Sequence, residues 1–342
     1  MDEKRNFDLL TLGQVLLRLS PPDNERLVRG DTFVKQVGGA ELNVAVGVAL
    51  LGLHTGIISK LPSHDMGSFL KSKIRSYGVS DDYFIYDTSP SARVGIYYYE
   101  NGAYPRKPKV IYDRSNSSFY SLDIDEIPEH VYSASRCFHT SGITLALSPQ
   151  LRETTMEMIR RFKAAGTLVS FDVNFRGNLW SGAEAKACIE QILPYVDIFF
   201  CSEDTARLTF LKTGTAREMM KSFTEEYPIS IVASTQRVVH SPKRHTFGSV
   251  IYDAKKDTFF EEEPYQDIDV VDRIGSGDAY ISGALYGLLA NDFDCSRAVQ
   301  FGNATSAVKN TIPGDLPSSN LEEIETIIRA HNHKGPQSEM AR

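Results

Sequence analysis

The chain has 342 residues, 42% of them hydrophobic and 24% charged, and a formal net charge of −7. That length suits one large domain with a small appendage, and the composition is that of an ordinary folded protein. The negative balance argues against non-specific binding to nucleic acid or anionic lipid, so basic residues that meet an anionic ligand must be gathered locally.

Four cysteines (Cys137, Cys188, Cys201, Cys295) lie far apart and form no Cys-x-x-Cys pair, which argues against a disulfide framework or a zinc site and leaves them as reduced thiols. The start, Met1-Asp-Glu-Lys-Arg-Asn, lacks the apolar segment of a signal peptide, and no apolar run approaches the ~20 residues that span a bilayer. The expected home is the cytoplasm, with no membrane partner. The polar stretch from residue 332 to 342 reads as a disordered tail.

In chain order, Phe7–Leu19 reads as a strand and Gly39–Leu53 as a helix with Leu42, Val46, Ala49, Leu50 and Leu53 on one face. Thr55–Ser59 is a strand and Gly67–Tyr77 a helix. Cys137–Ile143, Leu168–Val173, Ile198–Cys201 and Ile229–Ala233 are compact apolar runs of the kind found in buried parallel strands. Helical patterns at Gln150–Ala165, Gly182–Ile192, Asp204–Leu211 and Ala216–Glu226 follow or separate them, and three more, Asp278–Ala290, Ser296–Lys309 and Leu321–Ala330, close the chain. This alternation predicts the α/β class, a mostly parallel sheet covered on both faces. Two regions break the rhythm. Residues 15–37 carry turn signals and no helix, and residues 92–115 are β-rich around Asn101-Gly102. Together they predict a small antiparallel sheet that projects as a lid and covers its apolar face against a cleft or a second subunit.

The chemistry concentrates in Asp272-Arg-Ile-Gly-Ser-Gly-Asp278, a glycine-rich turn entering a helix. Free amides at such a helix start form an anion site, and Gly275 and Gly277, with Ser276 between them, let backbone approach an oxygen. Asp278 is either a helix cap or a base that accepts the proton of an attacking hydroxyl while the amides hold phosphoryl oxygens. A second glycine-rich helix entry, Gly38-Gly39-Ala-Glu-Leu-Asn43, lies in the N-terminal half, and no Gly-x-x-x-x-Gly-Lys-Ser/Thr loop occurs.

With both segments in their order and spacing, the chain from about residue 7 to 331 resembles the ribokinase-like (pfkB) carbohydrate kinases. It is most similar to those acting on 2-keto-3-deoxygluconate, through Phe171-Asp-Val-Asn-Phe-Arg176, Tyr112-Asp-Arg114 and Ile312-Pro-Gly-Asp315. The resemblance implies a three-layer α/β/α fold, ATP and Mg²⁺ as cofactors, Asp278 as base and phosphorylation of a sugar acid. It implies substrate contacts from Gly39, Tyr97, Tyr112, Arg114, Arg176, Asp278 and Asp315, nucleotide contacts from Ser202, Ser234, Gly275, Gly277 and Asn303, no metal held by the protein alone, and a homo-oligomer formed through the lid. Arginine suits a carboxylate or phosphate because its fork pairs two oxygens, although structural ion pairs would use Arg114 and Arg176 equally well. The tyrosines also fit ordinary strand packing. Three departures mark this chain. Arg273 replaces a small hydroxyl residue, Ser202-Glu-Asp-Thr205 stands where the family has Asn-x-x-Glu, and Ser234–His245 replaces a Lys/Gly-rich turn, with Arg237 or Lys243 as possible phosphate contacts or solvated charges. A neutral-sugar kinase and a non-catalytic carbohydrate binder are the rival readings.

Overall fold

The computed structural model describes residues 5–332. All but the first residue of the expected tail lies outside them. An 11-stranded sheet forms the centre. Across it the order is Thr258–Glu261, Arg244–Asp253, Ile231–Ser241, Ile198–Phe200, Leu168–Asp172, Ser135–Ser141, Phe7–Leu12, Thr55–Pro62 and Val79–Ser80. From Ile231–Ser241 to Val79–Ser80 every pairing is parallel, whereas the hairpin partner Arg244–Asp253 and its neighbours are antiparallel.

Side-chain alternation divides the core between the two faces. Leu10, Phe138, Val169, Phe171, Phe199 and Val232 pack against helices Pro149–Ala164, Gly182–Ile189 and Ala216–Glu226. Their neighbours Leu9, Cys137, Ile198, Phe200 and Ile231 meet helices Ala40–Leu50, Ser276–Ala290 and Cys295–Asn310. Strands buried on both sides explain the continuous apolar runs in the sequence, and each buried Leu or Phe side chain contributes ~1.5–3 kcal/mol. The helices start where the sequence places caps: Ser148 accepts from the Leu151 amide ahead of Pro149, and Thr215 with Glu218 closes a capping box. Gly283 and Gly287 let two helices touch. A Cβ at Gly283 would lie 2.3 Å from the Phe301 carbonyl oxygen, and one at Gly287 2.5 Å from Ala298 Cα.

A separate four-stranded sheet, ordered Val34–Gly38, Leu16–Ser20, Gly95–Glu100, Lys109–Asp113, stands over the carboxyl ends of the central strands. It is mixed, since Leu16–Ser20 pairs parallel with Gly95–Glu100. The antiparallel sheet expected from the sequence is thus corrected to a mixed one, and two further expectations are corrected with it. The single strand Phe7–Leu19 is two, broken at residues 13–15 where the chain leaves one sheet for the other; a side chain on Gly13 would collide with Glu41. The stretch after Ala233, read as a loop, is a long β-hairpin, Ile231–Ser241 with Arg244–Asp253, turning at Pro242-Lys243. The four cysteines are buried and unpaired, and among the described residues no helix is long and apolar enough to cross a membrane.

Candidate active site

The lid, the strand ends and two helix starts enclose a cleft of about 560 Å³. Helix Ser276–Ala290 begins at Gly275, whose φ of 78° is left-handed and whose missing Cβ leaves room for the Asp315 carbonyl, and no side chain caps it. The Ser276 amide donates to the Arg273 carbonyl at 3.2 Å, and the Gly277 and Asp278 amides, without a backbone acceptor among the described residues, remain available to an anion. Gly277 faces open space. Helix Ala40–Leu50 also starts without a side-chain cap, at Gly39 with φ 139°, where a Cβ would sit 2.4 Å from the Gln14 carbonyl oxygen. The two helix starts are joined: Asn43 Nδ2 donates to Asp278 Oδ2 at 2.7 Å. Asp278 is thus held by a side chain from the other motif rather than serving as a cap.

Burial pushes the Asp278 carboxyl up to about 6, against the Asn43 bond and the positive charge of Arg176. Asp172, at the end of strand Leu168–Asp172, accepts from the Asn174 amide, and burial together with the Asp278 charge pushes it up to about 7. Glu41 is also buried. Its Oε1 accepts from Ser141 at 2.6 Å and Thr144 at 2.8 Å, and burial raises its pKa.

Basic groups face these carboxylates. Arg114 is buried and its Nε donates to Gln14 Oε1 at 2.7 Å, while Gln14 Nε2 donates to the Arg114 carbonyl and to Ser117. No carboxylate pairs with the Arg114 guanidinium among the described residues, and burial pushes its pKa down. Arg176, Arg237 and Arg273 come to the same cleft from three different segments, again with no ion pair to a described carboxylate. Ala233, Thr235 and Arg237 alternate along the long strand and all line the cleft, so the hairpin that replaces the expected loop is what delivers Arg237.

A further cluster ties the lid to the glycine-rich turn ahead of helix Ser276–Ala290. Arg18, 2% exposed on lid strand Leu16–Ser20, donates to Asp272 Oδ2 at 2.5 Å, Asp315 Oδ1 at 2.8 Å and Ser20 Oγ at 2.8 Å. Its guanidinium lies over the Tyr99 ring, 4.3 Å from the centroid. The Tyr97 hydroxyl donates to the Asp315 carboxylate, so both oxygens of Asp315 are engaged within the protein. Behind the turn, buried Lys309 donates to the carbonyls of Asp272 and Ile312, and burial pushes its pKa down to about 8.

Of the sequence-predicted residues, Gly39, Tyr97, Tyr112, Arg114, Arg176, Ser202, Gly275, Ser276, Gly277, Asp278 and Asp315 all line this cleft. Ser202 is tied to Thr205 Oγ1 at 2.8 Å as the cap of helix Glu203–Leu208, a local role for the departure noted at these positions. Ser234 and Asn303 are buried outside the lining, and Asn303 donates to Glu262. His139 is a packed core residue bonded to Ser170, pushed by burial down to about 3. Sequence reasoning missed Gln14, Arg18, Glu41 and Lys309.

A strand-end cleft under a small β-lid, with an uncapped helix start beside a carboxylate, defines a ribokinase-like sugar kinase. The model of the pfkB family of carbohydrate kinases matches residues 6–321, and the chain belongs to that family. It is 34% identical over 322 residues to a 2-dehydro-3-deoxygalactonokinase of Haloferax volcanii, covering 94% of this chain and 96% of that one. It is 26% identical to a 5-dehydro-2-deoxygluconokinase of Listeria monocytogenes, covering 95% and 97%. The crystal structure of 2-dehydro-3-deoxygluconokinase from Thermotoga maritima superposes with a TM-score of 0.89 at 30% identity, over 94% of this chain and 99% of that one. The protein is a carbohydrate kinase of a family that uses ATP.

Proposed function

We propose that the protein transfers the γ-phosphoryl group of ATP to the primary hydroxyl of 2-keto-3-deoxygluconate or a close sugar acid. The observation that carries this reading is the Arg114 guanidinium, buried in the wall of the cleft that Asp278 lines, with no carboxylate in ion-pair contact and, of the carboxylates, only Glu41 near enough to favour its charge. A buried cation left unpaired is costly, and a carboxylate-bearing substrate relieves that cost where a neutral sugar does not. The names of the relatives from Haloferax volcanii and Thermotoga maritima support the same class.

In this mechanism Gln14 holds Arg114 against the substrate carboxylate, and Asn43 orients Asp278. Asp278 accepts the hydroxyl proton as the oxygen attacks phosphorus, and the free amides of Gly277 and Asp278 receive the oxygens of the migrating group. Arg176 adds an exposed positive charge to the cleft. Among the described residues no cluster of three or more His, Cys, Asp or Glu side chains suits a metal held by protein alone. Asp172 and Asp204, which line the cleft, would help to hold Mg²⁺, which would offset charge on the phosphoryl oxygens.

The test is ADP release on a panel of 2-keto-3-deoxygluconate, its galactonate epimer, 5-keto-2-deoxygluconate, fructose and ribose. The keto-deoxy acids should turn over, and Arg114→Met should raise their KM about 30-fold or more, since truncating one partner of a buried charge pair costs ~2–5 kcal/mol. Turnover of a neutral sugar that is indifferent to Arg114→Met would refute the acid reading. We also propose that two copies associate through the lid, whose edge strand Lys109–Asp113 exposes Val110, Ile111 and Tyr112. Light scattering should give a dimer that Ile111→Asp dissociates.

A further inference from the structure

The long hairpin and the outer end of the lid sheet enclose a second cavity, of about 450 Å³, walled by Tyr99, Val239, Val270 and Val271. Lys107, Lys243, Arg273, His240 and His245 supply its ionisable nitrogens, and no carboxylate lines it. In a chain of net charge −7 this is a local inversion of sign. The neighbouring strand does carry Asp267 and Asp269, but both are held by Arg244, at 3.6 and 3.2 Å.

The wall is more than a rim of lysines. His245 is 2% exposed, and its Nδ1 has no partner. The ring also bonds the Ser241 backbone. Burial, reinforced by the charges of Arg237, Arg273 and His240, pushes its pKa down, and an anion that offsets those charges would favour the protonated ring. Once protonated, Nδ1 becomes a donor to that anion.

We propose that this cavity is a second anion site, that its ligand is a compact phosphorylated acid, and that occupancy is transmitted to the catalytic cleft through Arg273. The charge count selects the class. Lys107, Lys243 and Arg273 are three fixed cations. A phosphate monoester carries about −1.5 to −2 near neutral pH, and one carboxylate brings the total close to three. Apolar walls limit water around the bound anion and strengthen each contact. Arg273 lines both cavities, so an anion that holds it here withdraws it from nucleotide phosphates there. The two ligands then weaken one another reciprocally. Only this coupling rests on the phosphoryl-transfer reading; the binding stands without it.

The probe is 3-phosphoglycerate, titrated calorimetrically into the full chain, into the double variant Lys107→Met/Lys243→Met, and into Arg114→Met. Both lysines are exposed, so the double variant should fold as the parent does. The wild type and Arg114→Met should bind alike, and the double variant at least ~10-fold more weakly, which corresponds to ~1.4 kcal/mol. In kinetics, 3-phosphoglycerate should raise the KM for ATP of the wild type and leave that of the double variant unchanged. Three results overturn the proposal: no binding to the wild type at millimolar probe, binding lost in Arg114→Met but kept in the double variant, or a double variant whose KM for ATP is itself raised tenfold. The second places the probe in the catalytic cleft, and the third makes the cavity part of the nucleotide site.

Discussion

Replacing Arg18 with Met should destabilise the fold by about 3–5 kcal/mol, the usual cost of removing one partner from a buried ion pair. The magnitude follows from what the guanidinium holds. It bonds Asp272 and Asp315, exposed 2% and 4%, and Met fills much of the volume while leaving both carboxylates without their cation. The penalty is therefore electrostatic and depends on pH. Burial already raises the Asp315 carboxyl against the Arg18 charge, and removing that charge raises it further, so the folded state binds a proton that the unfolded state releases. The deficit is full at neutral pH and shrinks as pH falls through that raised value. Urea unfolding at pH 7.5 and pH 5.5 measures both quantities. Arg18→Lys, which reaches one carboxylate at a time, should fall between. A loss below 1 kcal/mol, or a loss equal at the two pH values, would refute this reasoning and reduce Arg18 to packing against Tyr99.

Asp278→Asn should lower kcat by ~10²–10⁴-fold while calorimetry still detects the sugar acid, because general-base catalysis is worth that much and Asn43 can still bond the amide. The wild-type kcat should fall as pH drops through about 6, where Asp278 takes up its proton and ceases to be a base, and a pH profile of the Asn variant should lack that limb. Lys309→Met should cost ~2–4 kcal/mol in denaturant unfolding by leaving the Asp272 and Ile312 carbonyls without their donor. Its kcat should fall with that loss, since both carbonyls flank the catalytic turn.

The layered fold was legible because strands buried on both faces are mostly apolar: Ile198–Phe200 is wholly so, and Leu168–Asp172 departs only at Ser170 and Asp172. The break at Gly13 was not, because apolar residues stand on both sides of Gly13-Gln14, up to Leu12 and again from Val15 to Leu17, while the chain changes sheets. The hairpin beyond Ala233 stayed hidden for a different reason. Gln236 to His240 are exposed, so no buried face imposes an alternation on them. Within the site, the two glycine-rich helix starts were readable from local chemistry alone. Arg18 was not: its partners lie 254 and 297 residues away, and one arginine in a strand carries no sign of what it will meet. Glu41 and Gln14 share that obscurity, since their bonds to Ser141 and Arg114 span 100 residues each.

The lid is inserted into the core rather than appended to it. Its first strand leaves the central sheet at Gly13, and its second returns at Gly38 directly into Gly39 and helix Ala40–Leu50. Both junctions touch working residues, Gly13 lying against Glu41 and Gly38 against Asp315. Both points where the chain enters and leaves the small sheet therefore lie against residues that line the cleft. Excising the small sheet would not leave a slower enzyme with an open mouth. It would remove the floor on which Gly39 and Asp315 are set.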